Sequence, residues 1–185
     1  MSMTTNWMLV SGADNFEVSR SMGFCVAGMK ERHRKKAERV QAGDRVLFYL
    51  TSIQKFGGTA TATDSYFEDR GNRIWESKKA GEYPYPWRFP IKADVVLTPD
   101  QFVSAERLLP DLDWVKKWPA SHWQLAFQGN VHVLSDKDFQ TIEDAIRAAA
   151  KTAPPADAQL PAAPVGLAGA RQRGKVAPLH AGTRG

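Results

Sequence analysis

The stretch Val46-Leu-Phe-Tyr-Leu-Thr-Ser-Ile53, VLFYLTSI, carries the fold assignment. It is a short apolar run rich in branched and aromatic residues, too short for a buried helix and bounded by turn residues, so it reads as a strand. Gly57-Gly58 resets the backbone, and the threonines of TATATDSYF, Thr59 to Phe67, then alternate with small residues as the next strand. Upstream, NWMLVS, Asn6 to Ser11, is a short and mostly buried opening strand, and Gly12-Ala-Asp-Asn turns the chain. Between these strands Met29, His33, Ala37 and Val40 recur on one stripe while Arg32, Lys35, Lys36 and Arg39 share another. This pattern predicts a basic amphipathic helix over Cys25 to Val40, ended at Gln41-Ala-Gly-Asp with Gly43 in the left-handed position.

Downstream, Asp69-Arg-Gly-Asn is a turn, and WRFPIKADVVLT, Trp87 to Thr98, alternates as a strand in which Pro90 forbids a central ladder position. Thr98-Pro99-Asp100-Gln101 starts a short helix, and LLPDLDWVKKW is a second helical or irregular piece broken by prolines. Gln124 to Phe127 and Val131 to Leu134 read as closing strands around Gly129-Asn130. Ser135, with Asp138 three residues on, caps a final helix whose buried stripe is Phe139, Ile142 and Ile146. Strands interleaved with a few short helices give an α+β class, a mixed sheet closed by curling into a small open barrel. The domain spans residues 1–151. Residues 152–185 hold nine alanines, five prolines, five glycines and no aromatic residue, which predicts a disordered Ala/Pro-rich basic tail.

A chain of 185 residues with 43% hydrophobic content suffices for one domain with its own core. The apolar runs are too short for a membrane span and the N-terminus lacks a secretory pattern, so a soluble, cytoplasmic protein without a membrane partner is expected. Cys25 is the sole cysteine, which excludes an intramolecular disulfide and a zinc site built on paired cysteines. The net charge is +5, and its location is informative: Lys30 to Arg39 holds six Lys/Arg against two Glu, and residues 152–185 hold four against one Asp. One basic element and one basic tail on a balanced body fit phosphate contacts at one place.

Nucleophilic catalysis needs a nucleophile, a base and an orienting group in contact. Cys25 reads as a small buried thiol, His33 lies in a run of cations, and His180 belongs to the tail. HExxH, CxxC, GxxxxGK[ST] and GxGxxG patterns do not occur, so no metal, cofactor or catalytic residue is expected. Recognition has better material in Phe24, Tyr49, Phe56 and Trp87, in the strand-end hydroxyls Ser11, Thr51 and Ser52, and in the basic helix. Bases are held by stacking on aromatic faces, with polar groups on the base edge and cations on the phosphates.

The opening NWMLVSG, GFCVAG ahead of the basic segment, AGDRVLFYLTSIQKFGG, YPWRFPIK and the terminal FQGNVHVLSDKDFQTIEDAI occur in an order that resembles the EVE domain. That domain belongs to the PUA-like superfamily with the YTH and ASCH domains, and the resemblance covers residues 6–150. Trp7 to Ser11 is similar to a family segment reading W-L-M-K-S, and Phe48 to Ser52 to one reading F-Y-H-S-N, with Leu-Thr-Ser in place of His-Ser-Asn. Met22-Gly23-Phe24 stands where one branch has the tryptophan of W-D-G-V-R-N.

The resemblance implies a pseudo-barrel whose pocket accepts a modified base, such as a methylated one, flipped out of a DNA or RNA strand. By position the pocket takes Ser11, Gly23, Phe24, Thr51, Ser52 and Trp87, with Phe56 in the adjoining loop. Phe24 and Trp87 are expected to sandwich the base, and Arg32, Lys35, Lys36, Arg39 and Arg88 to contact the phosphates. In YPYPWRFP, Tyr83 to Pro90, Trp87 is the expected stacking wall, and Tyr83 and Tyr85 are loop aromatics. Two alternatives stay open: a structural or protein-interaction domain, and a nucleotide-processing enzyme using Cys25 with His132.

Overall fold

A computed structural model of the chain describes residues 3–77 and 83–152. The strands are β1 (Asn6–Ser11), β2 (Val26–Met29), β3 (Arg45–Leu50), β4 (Lys55–Ala62), β5 (Phe67–Glu68), β6 (Trp87–Val96), β7 (Val103–Ser104) and β8 (Val131–Leu134). The helices are α1 (Ala13–Ser21), α2 (Arg34–Ala37) and α3 (Asp136–Lys151), joined by several 3-10 turns.

Both faces of β1 and β3 are dry. Trp7, Leu9, Val46, Phe48 and Leu50 enter one core with Phe16, Phe24, Trp87 and Phe89. Met8, Val10, Leu47 and Tyr49 enter a second with Phe56, Phe127 and the α3 residues Phe139, Ile142 and Ile146. Strands buried on both faces need a continuous apolar run, which is what NWMLVS and VLFYL supply. β1 and β3 pair in parallel, Leu9 opposite Phe48, with α1, β2 and α2 in the crossover between them.

The path of the sheet is β2-β6-β4-β3-β1-β8, with β5 added to β6 and β7 to β4. Irregularities between Phe48 and Tyr49 and between Thr59 and Ala60 bend the central strands. The sheet curls into a half-barrel of α+β class, and its two ends are joined through side chains. Asn130, buried just before β8, accepts from the Lys30 N–H at 3.0 Å and donates to the Val10 carbonyl at 3.2 Å. Lys36 Nζ donates to the Val131 carbonyl at 2.6 Å.

The first strand, the Val46 strand, the Trp87 strand and the final helix lie where the sequence places them, with ends displaced by a few residues. Ser135 caps α3 by accepting from the Asp138 N–H, and Thr98 and Gln101 form the reciprocal capping box. Three expectations are corrected. Gly12-Ala-Asp-Asn does not merely turn the chain but opens α1, a nine-residue helix anchored by Phe16. The helix read over Cys25 to Val40 is a strand, a 3-10 turn at Glu31–His33 and the four-residue α2. Val26 to Met29 pairs with Trp87 to Pro90 and buries Ala27 and Met29, a tertiary pairing that outweighs the local period. Gln124 to Phe127 is 3-10 backbone, since Trp123, Ala126 and Phe127 bury at helical spacing.

The expected tail lies outside the described residues from Ala153 onward. Among the described residues no helix is long and apolar enough to cross a membrane.

Candidate functional site

The end of β1, α1, β2 and the segment carrying Trp75 and Tyr85 enclose a small cleft. Leu9 and Phe48 line it together with Ala27 and Gly28 of β2. Trp75 and Tyr85, both buried, form an aromatic wall with ring centroids 5.6 Å apart at 70°. Gly28 is required there, because a Cβ at this position would sit 2.6 Å from the Trp75 ring. Tyr85 adopts a left-handed backbone, φ +57°, which is strained for a bulky residue and persists only where the surroundings enforce it.

Asn15 and Ser19 are one helical turn apart on α1, so both face the Trp75 segment. The Asn15 amide donates to the Glu76 carbonyl at 2.9 Å and accepts from the Glu76 N–H at 3.2 Å, and the Trp75 indole N–H donates to Ser19 Oγ at 2.9 Å. Three hydrogen bonds thus hold the Trp75 side of the wall against the helix. The cavity left is about 30 Å³, against roughly 300–1,000 Å³ for pockets that enclose a drug-sized ligand. The polar groups around the cleft, Ser11, Asn15, Ser19 and Asn130, are hydroxyls and amides, each engaged in internal hydrogen bonds in this arrangement.

Positive charge begins at the rim. Lys30 Nζ lies 5.7 Å from the Tyr85 ring centroid, and Arg32, Arg34, Lys35 and Arg39 follow as exposed residues. Arg39 also lies over the Trp7 ring at 5.7 Å, and Arg34 is paired with Glu38. Burial and then the neighbouring cations, Lys36 first, push His33 down to about 4. Burial also lowers His132, whose ring packs on Trp114 at 5.3 Å. Unfolded histidine takes up its proton near pH 6.5, whereas folded His33 does so only near pH 4. The chain should therefore lose stability as pH falls between these values, with His33→Gln reducing that slope in denaturant-midpoint measurements.

Of the residues read from the sequence, Ser11 lines the cleft and the others are placed elsewhere. Phe24, 1% exposed, packs between Phe16 and Phe48 at 5.0 and 5.5 Å, so its ring is core material. Gly23 is an exposed turn residue with φ +68°. Thr51 and Ser52 are exposed between β3 and β4, and Ser52 Oγ accepts the Ala13 N–H at 3.2 Å, serving the start of α1. Phe56 belongs to the second core, against Tyr49 at 5.3 Å and Phe127 at 6.0 Å.

Trp87 is buried with its indole N–H bonded to the Glu31 carbonyl at 2.8 Å, and its ring meets Tyr66, Arg34 and Arg70. Phe24 and Trp87, expected to sandwich the base, are both buried against protein neighbours. Arg88, 1% exposed and paired with Asp69 at 2.5 Å, has no surface from which to touch a phosphate. Lys36 is half-buried and spends its ammonium on Val131, whereas Arg32, Lys35 and Arg39 are exposed as expected. Cys25 is exposed, contrary to its reading as a buried thiol.

Sequence reasoning missed Trp75 and Tyr85. The available signals were a lone tryptophan in the polar stretch GNRIWES and a tyrosine set between two prolines.

No protein-family model matches the chain. The UPF0310 protein PH1033 of Pyrococcus horikoshii is 24% identical over 149 residues, covering 75% of this chain and 97% of that protein. Among solved structures, the YTH domain of the Zygosaccharomyces rouxii MRB1 protein, in complex with N6-methyladenosine RNA, superposes with a TM-score of 0.56 at 14% identity, covering 86% of this chain and 91% of that one. Human THYN1, in complex with DNA containing 5-methylcytosine, superposes with a TM-score of 0.51 at 11% identity, covering 76% and 96%. The half-barrel of this chain is the fold of these YTH and THYN1 structures.

Proposed function

We propose that the chain is an EVE-type member of the PUA-like superfamily and a non-catalytic nucleic-acid-binding module that takes a modified base into the cleft behind Trp75 and Tyr85. The observation that carries this reading is an aromatic wall facing hydroxyls and amides, with Lys30 to Arg39 leaving its rim. A base flipped from its strand would stack on the wall and present its edge to the polar groups, while the flanking phosphates follow the exposed cations Arg32, Lys35 and Arg39. Two structures that share the fold hold methylated nucleic acid, one RNA and one DNA, which supports the ligand class and leaves both backbones to be tried. Among the described residues, the side chains lining the cleft are hydroxyls, amides, apolar groups and one tyrosine, without a carboxylate, imidazole or thiol among them, which fits binding better than proton transfer.

The experiment is an anisotropy titration with single- and double-stranded DNA and RNA carrying 5-methylcytosine, N6-methyladenine or neither. Modified strands should bind more tightly than their unmodified counterparts, and all affinities should fall steeply with added salt through counterion release. Absence of binding to every strand at low salt would refute the reading.

A further inference from the structure

The aromatic wall is held from beneath by one buried arginine. Arg88 lies on β6 opposite Gly28, the residue against which the Trp75 ring is packed. Its guanidinium donates to Asp69 Oδ2 at 2.5 Å, to the Asn72 carbonyl and, through Nε, to the Tyr85 carbonyl at 3.2 Å. Its Cζ also lies 5.6 Å from the Trp75 ring centroid. Asp69 is shaped to receive it: its carboxylate accepts from the Gly71 and Asn72 N–H groups and from the Asn72 amide. Those bonds, the Asn72 side chain first, hold its carboxyl below the usual carboxylate range. A single planar fork thus ties the start of the segment, Asp69 and Asn72, to its end at Tyr85, with Trp75 between them. The bond to the Tyr85 carbonyl also braces a residue whose left-handed backbone is otherwise unfavourable.

We propose that Arg88 is a positioning residue for base recognition, setting the gap between the Trp75–Tyr85 wall and β2 by clamping both ends of the segment that carries the wall. This rests on the reading of the cleft as a base site. A lysine can reach one of the three acceptors as a point charge but cannot span them as a fork, so Arg88→Lys separates charge from geometry.

The test uses the full chain and short labelled strands carrying one 5-methylcytosine or one N6-methyladenine, with the unmodified strands beside them. In Arg88→Lys, affinity for the strand the wild type prefers should fall by roughly tenfold while affinity for the unmodified strand stays within about twofold. The fluorescence of Trp75, taken as wild type minus Trp75→Phe, should become more accessible to acrylamide. If Arg88→Lys does not fold by circular dichroism, Asp69→Asn loosens the same clamp from its partly exposed side and carries the same expectations. Unchanged Trp75 quenching, or an equal loss for modified and unmodified strands, overturns the proposal. If the wild-type chain binds no strand, the base-reading function fails instead, and quenching alone decides the clamp: a rise supports it and no change overturns it.

Discussion

Phe16→Ala is expected to lower folding stability by about 3–5 kcal/mol, the cost of removing a fully buried phenyl ring from a core that cannot collapse around the void. Phe16 is the sole fully buried residue of α1 and meets Phe24, Phe48 and Phe102 at 5.0, 5.7 and 5.7 Å. The surroundings are shaped around it, because a Cβ at Gly57 would sit 2.6 Å from its Cζ atom. Losing the ring also frees α1 from the sheet, and with it Asn15 and Ser19, which hold Glu76 and Trp75. Urea denaturation should show a lower midpoint, with an undiminished slope if unfolding stays cooperative. A loss below about 1 kcal/mol would mean that α1 is not anchored through this ring.

Trp75→Ala carries the largest expected effect on binding. Removing one stacking face should cost roughly 1–3 kcal/mol toward a strand bearing the recognised base, with tenfold in affinity for each 1.4 kcal/mol. Binding to an unmodified strand at low salt should change little, because it rests on the exposed cations of Arg32 to Arg39. Trp87→Ala is the informative companion. Its indole is committed to the Glu31 carbonyl and to Arg34 and Arg70, so it should reduce thermal stability and spare the preference for the modified strand. Titration of both variants against the same pair of strands distinguishes them, and equal loss of preference in the two would remove the assignment of Trp75 as the wall.

The sequence by itself determined the elements whose burial pattern is local and strong. NWMLVS and VLFYL had to be strands because short apolar runs with branched and aromatic residues bury on both faces. Ser135 to Lys151 had to be a helix because its cap and its apolar stripe agree. The resemblance in segment order extended this to the half-barrel. The choice of which aromatic residue walls a cleft and which fills a core was decided only by the tertiary structure.

Trp75, Trp87, Phe24 and Phe56 are chemically interchangeable at the level of pattern, and what separates them is the neighbour each one meets. Phe24 meets Phe16 and Phe48, Phe56 meets Tyr49 and Phe127, and Trp75 meets Ser19 and the bare backbone of Gly28. The same holds for charge. Arg88 reads as one more cation in YPYPWRFP, yet the pairing of β6 with β2 and β5 buries it, and burial turns a phosphate contact into an internal clamp. A buried guanidinium needs acceptors on every side, and those acceptors come from residues 69, 72 and 85, which only the folded chain brings together.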